Sequence, residues 1–190
     1  MEKLFQKKYR VASARLRSWD YSQDSYYFVT ICTRDKKKFF GVIRDKKIIL
    51  SPLGEIAENF WQQIPEHFPF VRLDKSVVMP NHLHGIVIID KWGCGENSGK
   101  GRRDAKFCVS TCAQNKFGPQ SKNLASIIRG FKAGVKKYAT MHDLDFTWQS
   151  RYYDRVIRDE NELNRIQDYI LTNVANWEKD KDNLETNFCQ

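Results

Sequence analysis

The chain has 190 residues, a mass of 22.4 kDa, a formal net charge of +9 and a pI near 9.3. That length suits one domain with a real core, and 41% apolar against 29% charged residues is the balance of a water-borne globular protein. No apolar run approaches the roughly 20 residues of a membrane span, and Met1 to Lys8 lacks the apolar core of a signal peptide, so a cytoplasmic protein with reduced thiols and no membrane partner is expected.

In chain order, residues 1–24 read as a basic arm (Lys3, Lys7, Lys8, Arg10, Arg15, Arg17) that would order on a partner. Tyr26 to Thr33 is rich in β-branched and aromatic residues and predicts a strand. Val42-Ile43 and Ile48-Ile49-Leu50 flank a charged turn and predict a hairpin. Ser51-Pro52 supplies a capping hydroxyl and a first-turn proline, and Leu53, Ile56, Ala57, Phe60, Trp61 and Ile64 repeat at helical spacing until Pro65. Phe70 to Met79 predicts a second long strand, and Pro80-Asn81 a tight turn into a third that opens at His82. Residues 92–120, with five glycines, read as a long loop insertion.

Leu124 to about Met141 returns to helical spacing, with Arg129, Lys132 and Lys136 on a basic side. Trp148 to Ile157 predicts a fourth strand. Asp159-Glu160-Asn161-Glu162 is a capping signature that opens a helix running to about Thr172. Residues 25–180 thus form one domain, with 181–190 as a tail. Strand, helix, strand, strand, helix, strand and a final helix predict an α+β, ferredoxin-like antiparallel sheet plus an appended helix.

Positive charge spread along the chain favours polyanionic partners. Aromatics sit beside cations in Lys8-Tyr9-Arg10 and Arg151-Tyr152-Tyr153, a pattern that suits single-stranded nucleic acid. Five cysteines at scattered spacings make no disulfide framework, and Cys108-x3-Cys112 lacks the second ligand pair of a zinc site.

The sharpest feature is His82-Leu83-His84. Alternate strand residues share a face, so the two imidazoles converge and can hold a divalent metal. On the last helix, Ile166, Tyr169, Ile170 and Asn173 fall on one sector at about 100° per residue. Asn173 therefore lies on the buried stripe, where a metal, a metal-held water or neighbouring backbone must satisfy its amide. Apart from any family likeness, two readings stand: a silent nucleic-acid-binding module on a ferredoxin-like sheet, or a water-using hydrolase. The last needs a carboxylate near the histidines, and Asp90, several residues along the strand, does not supply one.

Met79-Pro80-Asn81-His82-Leu83-His84-Gly85-Ile86, followed by Asp168-Tyr169-Ile170-x-x-Asn173, resembles the single-tyrosine HUH nucleases, and more closely the REP-associated tyrosine transposases. Tyr27 to Thr33, Leu53-Gly54-Glu55-Ile56 and Trp148-Gln149-x-x-Tyr152-Tyr153-Asp154-x-x-Ile157-Arg158 resemble further marks of that family. The resemblance spans about residues 9–180 without the insertion. It implies a metal-dependent single-strand DNA endonuclease and strand transferase acting on hairpin-flanked DNA. His82, His84 and Asn173 would hold Mg²⁺ or Mn²⁺, and Tyr169 would form a 5′-phosphotyrosine bond; Tyr138, Tyr152 and Tyr153 compete for that role. Lys7, Lys8, Arg10, Arg15, Arg17, Arg129, Lys132 and Lys136 would contact DNA phosphates. The protein would act as a monomer or homodimer on single-stranded or hairpin DNA.

Overall fold

The computed structural model describes residues 19–91, 121–180 and 183. Strand β1 (Ser25–Cys32) runs antiparallel to β5 (His82–Ile89) on one side and to β6 (Tyr153–Ile157) on the other; β4 (Val71–Met79) pairs with β5. The order β4-β5-β1-β6 is that of a ferredoxin-like antiparallel sheet, as the element order predicts. A separate hairpin, β2 (Gly41–Arg44) and β3 (Lys47–Leu50), leads into helix α1 (Pro52–Gln62).

One face of the sheet carries the main core. Tyr27, Val29 and Ile31 of β1 and Leu83, Val87 and Ile89 of β5 pack with α1 and with helix α3 (Leu124–Met141). Gly85 belongs to this face, and a Cβ there would collide with the Trp61 ring of α1. The glycine after the two histidines therefore serves helix packing, not the histidines. On the other face, Phe28, Ile86 and Ile157 pack with Leu163 and Ile170 of helix α4 (Glu160–Thr172). Each fully buried aliphatic side chain contributes about 1.5–3 kcal/mol. This smaller cluster anchors α4 over the face that holds His82 and His84.

Three boundaries differ from the sequence expectation. Trp19–Asp24 are part of the folded body, not an arm: Tyr21 is buried, and Trp19 Nε1 donates to the Tyr27 hydroxyl at 3.2 Å. Residues 1–18, the 92–120 segment expected as a loop insertion, and the expected tail apart from Asn183 lie outside the described residues. Helix α1 stops at Gln62, and Pro65 sits in the first turn of a short helix α2 (Ile64–His67), where its missing N–H costs nothing. The fourth strand begins at Tyr153, not Trp148. Trp148 makes one isolated bridge with Thr33 and fills the core.

Candidate functional site

Each histidine is oriented by a neighbour. Asn81 Nδ2 donates to the Lys36 carbonyl at 3.0 Å, which turns its Oδ1 toward His82 Nδ1 at 2.7 Å. An amide oxygen only accepts, so His82 carries its proton on Nδ1 and presents Nε2 as a lone pair. Thr30 stands across from His84 in the β1–β5 register, and its hydroxyl lies 2.8 Å from His84 Nδ1. Both Nε2 atoms then point into one space, 2.9 Å apart. Two ligands about 2.1 Å from an ion and at right angles stand about 3 Å apart. The pair therefore fits two adjacent positions around a divalent ion.

Helix α4 brings the third component. Asp159 caps it, accepting from Glu162 N at 2.7 Å, and Leu163, Ile166 and Ile170 fix its rotation on the sheet. That rotation puts the Tyr169 hydroxyl 3.2 Å from His84 Nε2 within the same chain. Asn173, one turn on, is 3% exposed and lines the same cleft. Its Oδ1 has no hydrogen-bond partner among the described residues, so no backbone N–H satisfies that oxygen. A buried amide oxygen left so is costly and suits a bound ion or its water.

The chain then turns through Trp177, whose ring centroid lies 6.1 Å from that of His82, and reaches Asp180. One carboxylate oxygen of Asp180 and one nitrogen from each histidine lie within 4.8 Å of one another. This group can hold a metal ion. The sequence reading missed Asp180 and found no carboxylate near the histidines. Asp180 lies eleven residues beyond Tyr169, past the end of α4, where no periodicity links it to the site. Thr30 was missed too, although pairing the first and third strands would have placed it beside His84.

The site opens into a cleft of about 800 Å³ between the sheet and α4. Lys36, Arg155, Arg165 and Lys179 line it against two carboxylates, Glu162 and Asp180, so the cleft favours anions. Arg155 pairs with Glu162 at 2.5 Å. Tyr153 lines the cleft, whereas Tyr152 packs against the main core and Tyr138 belongs to α3 on the opposite face.

The remaining expected phosphate contacts are not brought here. Lys7, Lys8, Arg10, Arg15 and Arg17 lie outside the described residues. Arg129, Lys132 and Lys136 belong to α3, on the far face. Lys132 Nζ donates to the Gln149 carbonyl at 2.5 Å and Lys136 Nζ to the Phe146 carbonyl at 2.6 Å. Burial holds the Lys132 amine below its ordinary pKa, with Cys32 acting weakly the other way.

No family model matches the chain. A Haemophilus influenzae protein of uncharacterised function is 37% identical over 170 residues, which cover 89% of this chain and 91% of that protein. The chain belongs to that protein's family. A second Haemophilus influenzae protein, provisionally named a REP-associated tyrosine transposase, is 23% identical over 155 residues, 81% of this chain and 72% of that protein. Among solved structures, a REP-associated tyrosine transposase bound to a REP hairpin matches with a TM-score of 0.51 at 14% identity, covering 90% of this chain and 74% of that one. At that identity the likeness is one of fold. No helix among the described residues is long and apolar enough to cross a membrane.

Proposed function

We propose that this family member is a metal-dependent single-strand DNA endonuclease and strand transferase of the REP-associated tyrosine transposase type, acting on hairpin-flanked DNA. The observation that carries the reading is the Tyr169 hydroxyl 3.2 Å from His84 Nε2, itself 2.9 Å from His82 Nε2. A binding module needs no such convergence of a phenol on two imidazoles.

His82 and His84 would hold the ion, with Asp180 and Asn173 as oxygen donors. Mg²⁺ or Mn²⁺, when bound, neutralises the scissile phosphate and stabilises the departing oxygen. Asn81 and Thr30 keep the imidazoles aimed. Tyr169 Oη attacks phosphorus, forming an Oη–P bond as the P–O3′ bond breaks. The 3′ oxygen takes up a proton and the phenol's proton passes to solvent. The product is a 5′-phosphotyrosine and a free 3′-OH, and the retained phosphoester lets a later 3′-OH rejoin strands.

Asp180 also supplies the carboxylate that a water-using hydrolase would need, so that second reading stays in play. One assay separates the two. Incubation with labelled single-stranded DNA carrying a hairpin and an unpaired flank, plus Mg²⁺ or Mn²⁺, yields a covalent protein–DNA adduct under the proposal. Cleavage without adduct supports hydrolysis by water. Binding with no cleavage of any hairpin supports the silent module.

A further inference from the structure

Two large aromatic side chains are exposed among the described residues, Tyr153 at 48% and Tyr169 at 40%, and both line the same cleft. The proposed chemistry uses Tyr169 and leaves Tyr153 without a role. Tyr153 opens β6 directly across from Thr30, which is across from His84. The row His84, Thr30, Tyr153 therefore runs from the histidine pair to the outer strand. At about 4.8 Å between strands, the two ends of that row are about 10 Å apart.

The ring is also held. Phe28 touches it edge-on at 6.4 Å between centroids. The same Phe28 stacks on His84 at 5.4 Å and meets Tyr169 edge-on at 6.2 Å. One buried ring thus backs the imidazole, the phenol of the proposed nucleophile and the exposed Tyr153. Two arginines line the same cleft: Arg155 lies two residues along the same strand and pairs with Glu162, and Arg165 lies one turn before Tyr169 on α4.

An aromatic face beside two guanidinium groups matches a base and its phosphate. A base inside a duplex has both faces occupied, so such a platform takes only an unpaired one. We propose that Tyr153 stacks on the base of an unpaired nucleotide flanking the scissile phosphate, while Arg155 and Arg165 hold its backbone. This rests on the single-strand DNA reading above and names the part of the substrate that the site selects.

The test is equilibrium binding of a fluorescent hairpin DNA with an unpaired flank, with Tyr169→Phe as the parent so that no covalent bond forms. Tyr153→Ala weakens binding about tenfold, within the range stacked bases lose on such truncation, and Tyr153→Phe restores it because stacking needs no hydroxyl. An abasic site at one flank position weakens the parent by a similar factor, yet adds little to the loss in Tyr153→Ala. Equal affinity of parent and Tyr153→Ala overturns the proposal. So does full additivity of Tyr153→Ala with an abasic site at every flank position, which marks a structural role. If this coupling is found but the unmodified protein never cleaves, the platform stands and the nuclease reading falls. If the parent binds no single-stranded DNA, both fall.

Discussion

The Thr30 hydroxyl lies 2.8 Å from His84 Nδ1, joining the middle of β1 to the histidine strand. Partners on the far nitrogen of a ligating imidazole fix its tautomer and aim. Thr30→Val keeps the β-branched shape and removes the hydroxyl. It is expected to lower Mn²⁺ affinity about 10- to 100-fold with little change in fold, measured by calorimetric titration. An unchanged affinity would separate Thr30 from ion binding.

Asp180 and Asn173 compete as the oxygen donor beside the histidines. A carboxylate carries charge and an amide does not, so Asp180→Asn is expected to weaken Mn²⁺ binding more than Asn173→Ala does. The same titration, run on both variants, ranks them. The opposite order would return the third ligand to the asparagine that the sequence pattern first suggested.

Much of this site was legible before the fold was known. Alternation along β5 put His82 and His84 on one face, and helical spacing put Asn173 on the buried stripe at the end of α4 with Tyr169 as its neighbour one turn before, where the structure leaves the Tyr169 ring 40% exposed to the cleft. What periodicity could not carry was contact across elements. Asp180 arrives through turns after α4 and a single 3-10 turn, Trp177–Lys179, anchored by the buried Trp177. Trp148 looked like strand because a core-filling aromatic and a strand aromatic are the same residue type in sequence. The basic side of α3 looked free, but two of its amines reach backbone carbonyls across the 146–149 segment.

DNA binding separates the cleft cations from those of α3. Neutralising Lys36, Arg165 and Lys179 together is expected to reduce the salt slope of single-strand binding by about two units, at roughly 0.7 per phosphate contact. Neutralising Arg129, Lys132 and Lys136 is expected to change it less, since α3 lies across the sheet from the cleft. Fluorescence anisotropy at several salt concentrations reads both slopes. A larger change from the α3 set would move the strand to the other face.

Tyr27 links stability to alkaline pH. Burial raises its pKa above the ordinary 10.0, outweighing the lowering effect of the Trp19 hydrogen bond. Below pH 10 the phenol is neutral in both folded and unfolded chains. Above it, the unfolded chain releases a proton that the folded one keeps. Stability therefore falls with rising pH, by about 1.4 kcal/mol per unit from this group. Lys132, lowered by burial, acts in the opposite sense near its own ordinary value. Urea unfolding of parent and Tyr27→Phe between pH 9 and 11 isolates the tyrosine. The variant is expected to start about 2 kcal/mol less stable, having lost two hydrogen bonds, one accepted from Trp19 and one donated to the Gln23 carbonyl, and to decline less steeply. Parallel curves would contradict the assignment.

The central claim is that Tyr169 is the nucleophile of a metal-dependent reaction on single-stranded DNA. Tyr169→Phe removes one oxygen and keeps the ring against Phe28. The decisive measurement is the yield of covalent protein–DNA adduct on denaturing gels, for parent, Tyr169→Phe and Tyr153→Phe, with hairpin-flanked DNA and Mn²⁺. The account predicts adduct with the parent and Tyr153→Phe and none with Tyr169→Phe, although Tyr169→Phe still binds the DNA. Adduct formed by Tyr169→Phe, or no adduct from the parent on any hairpin-flanked DNA, would contradict it.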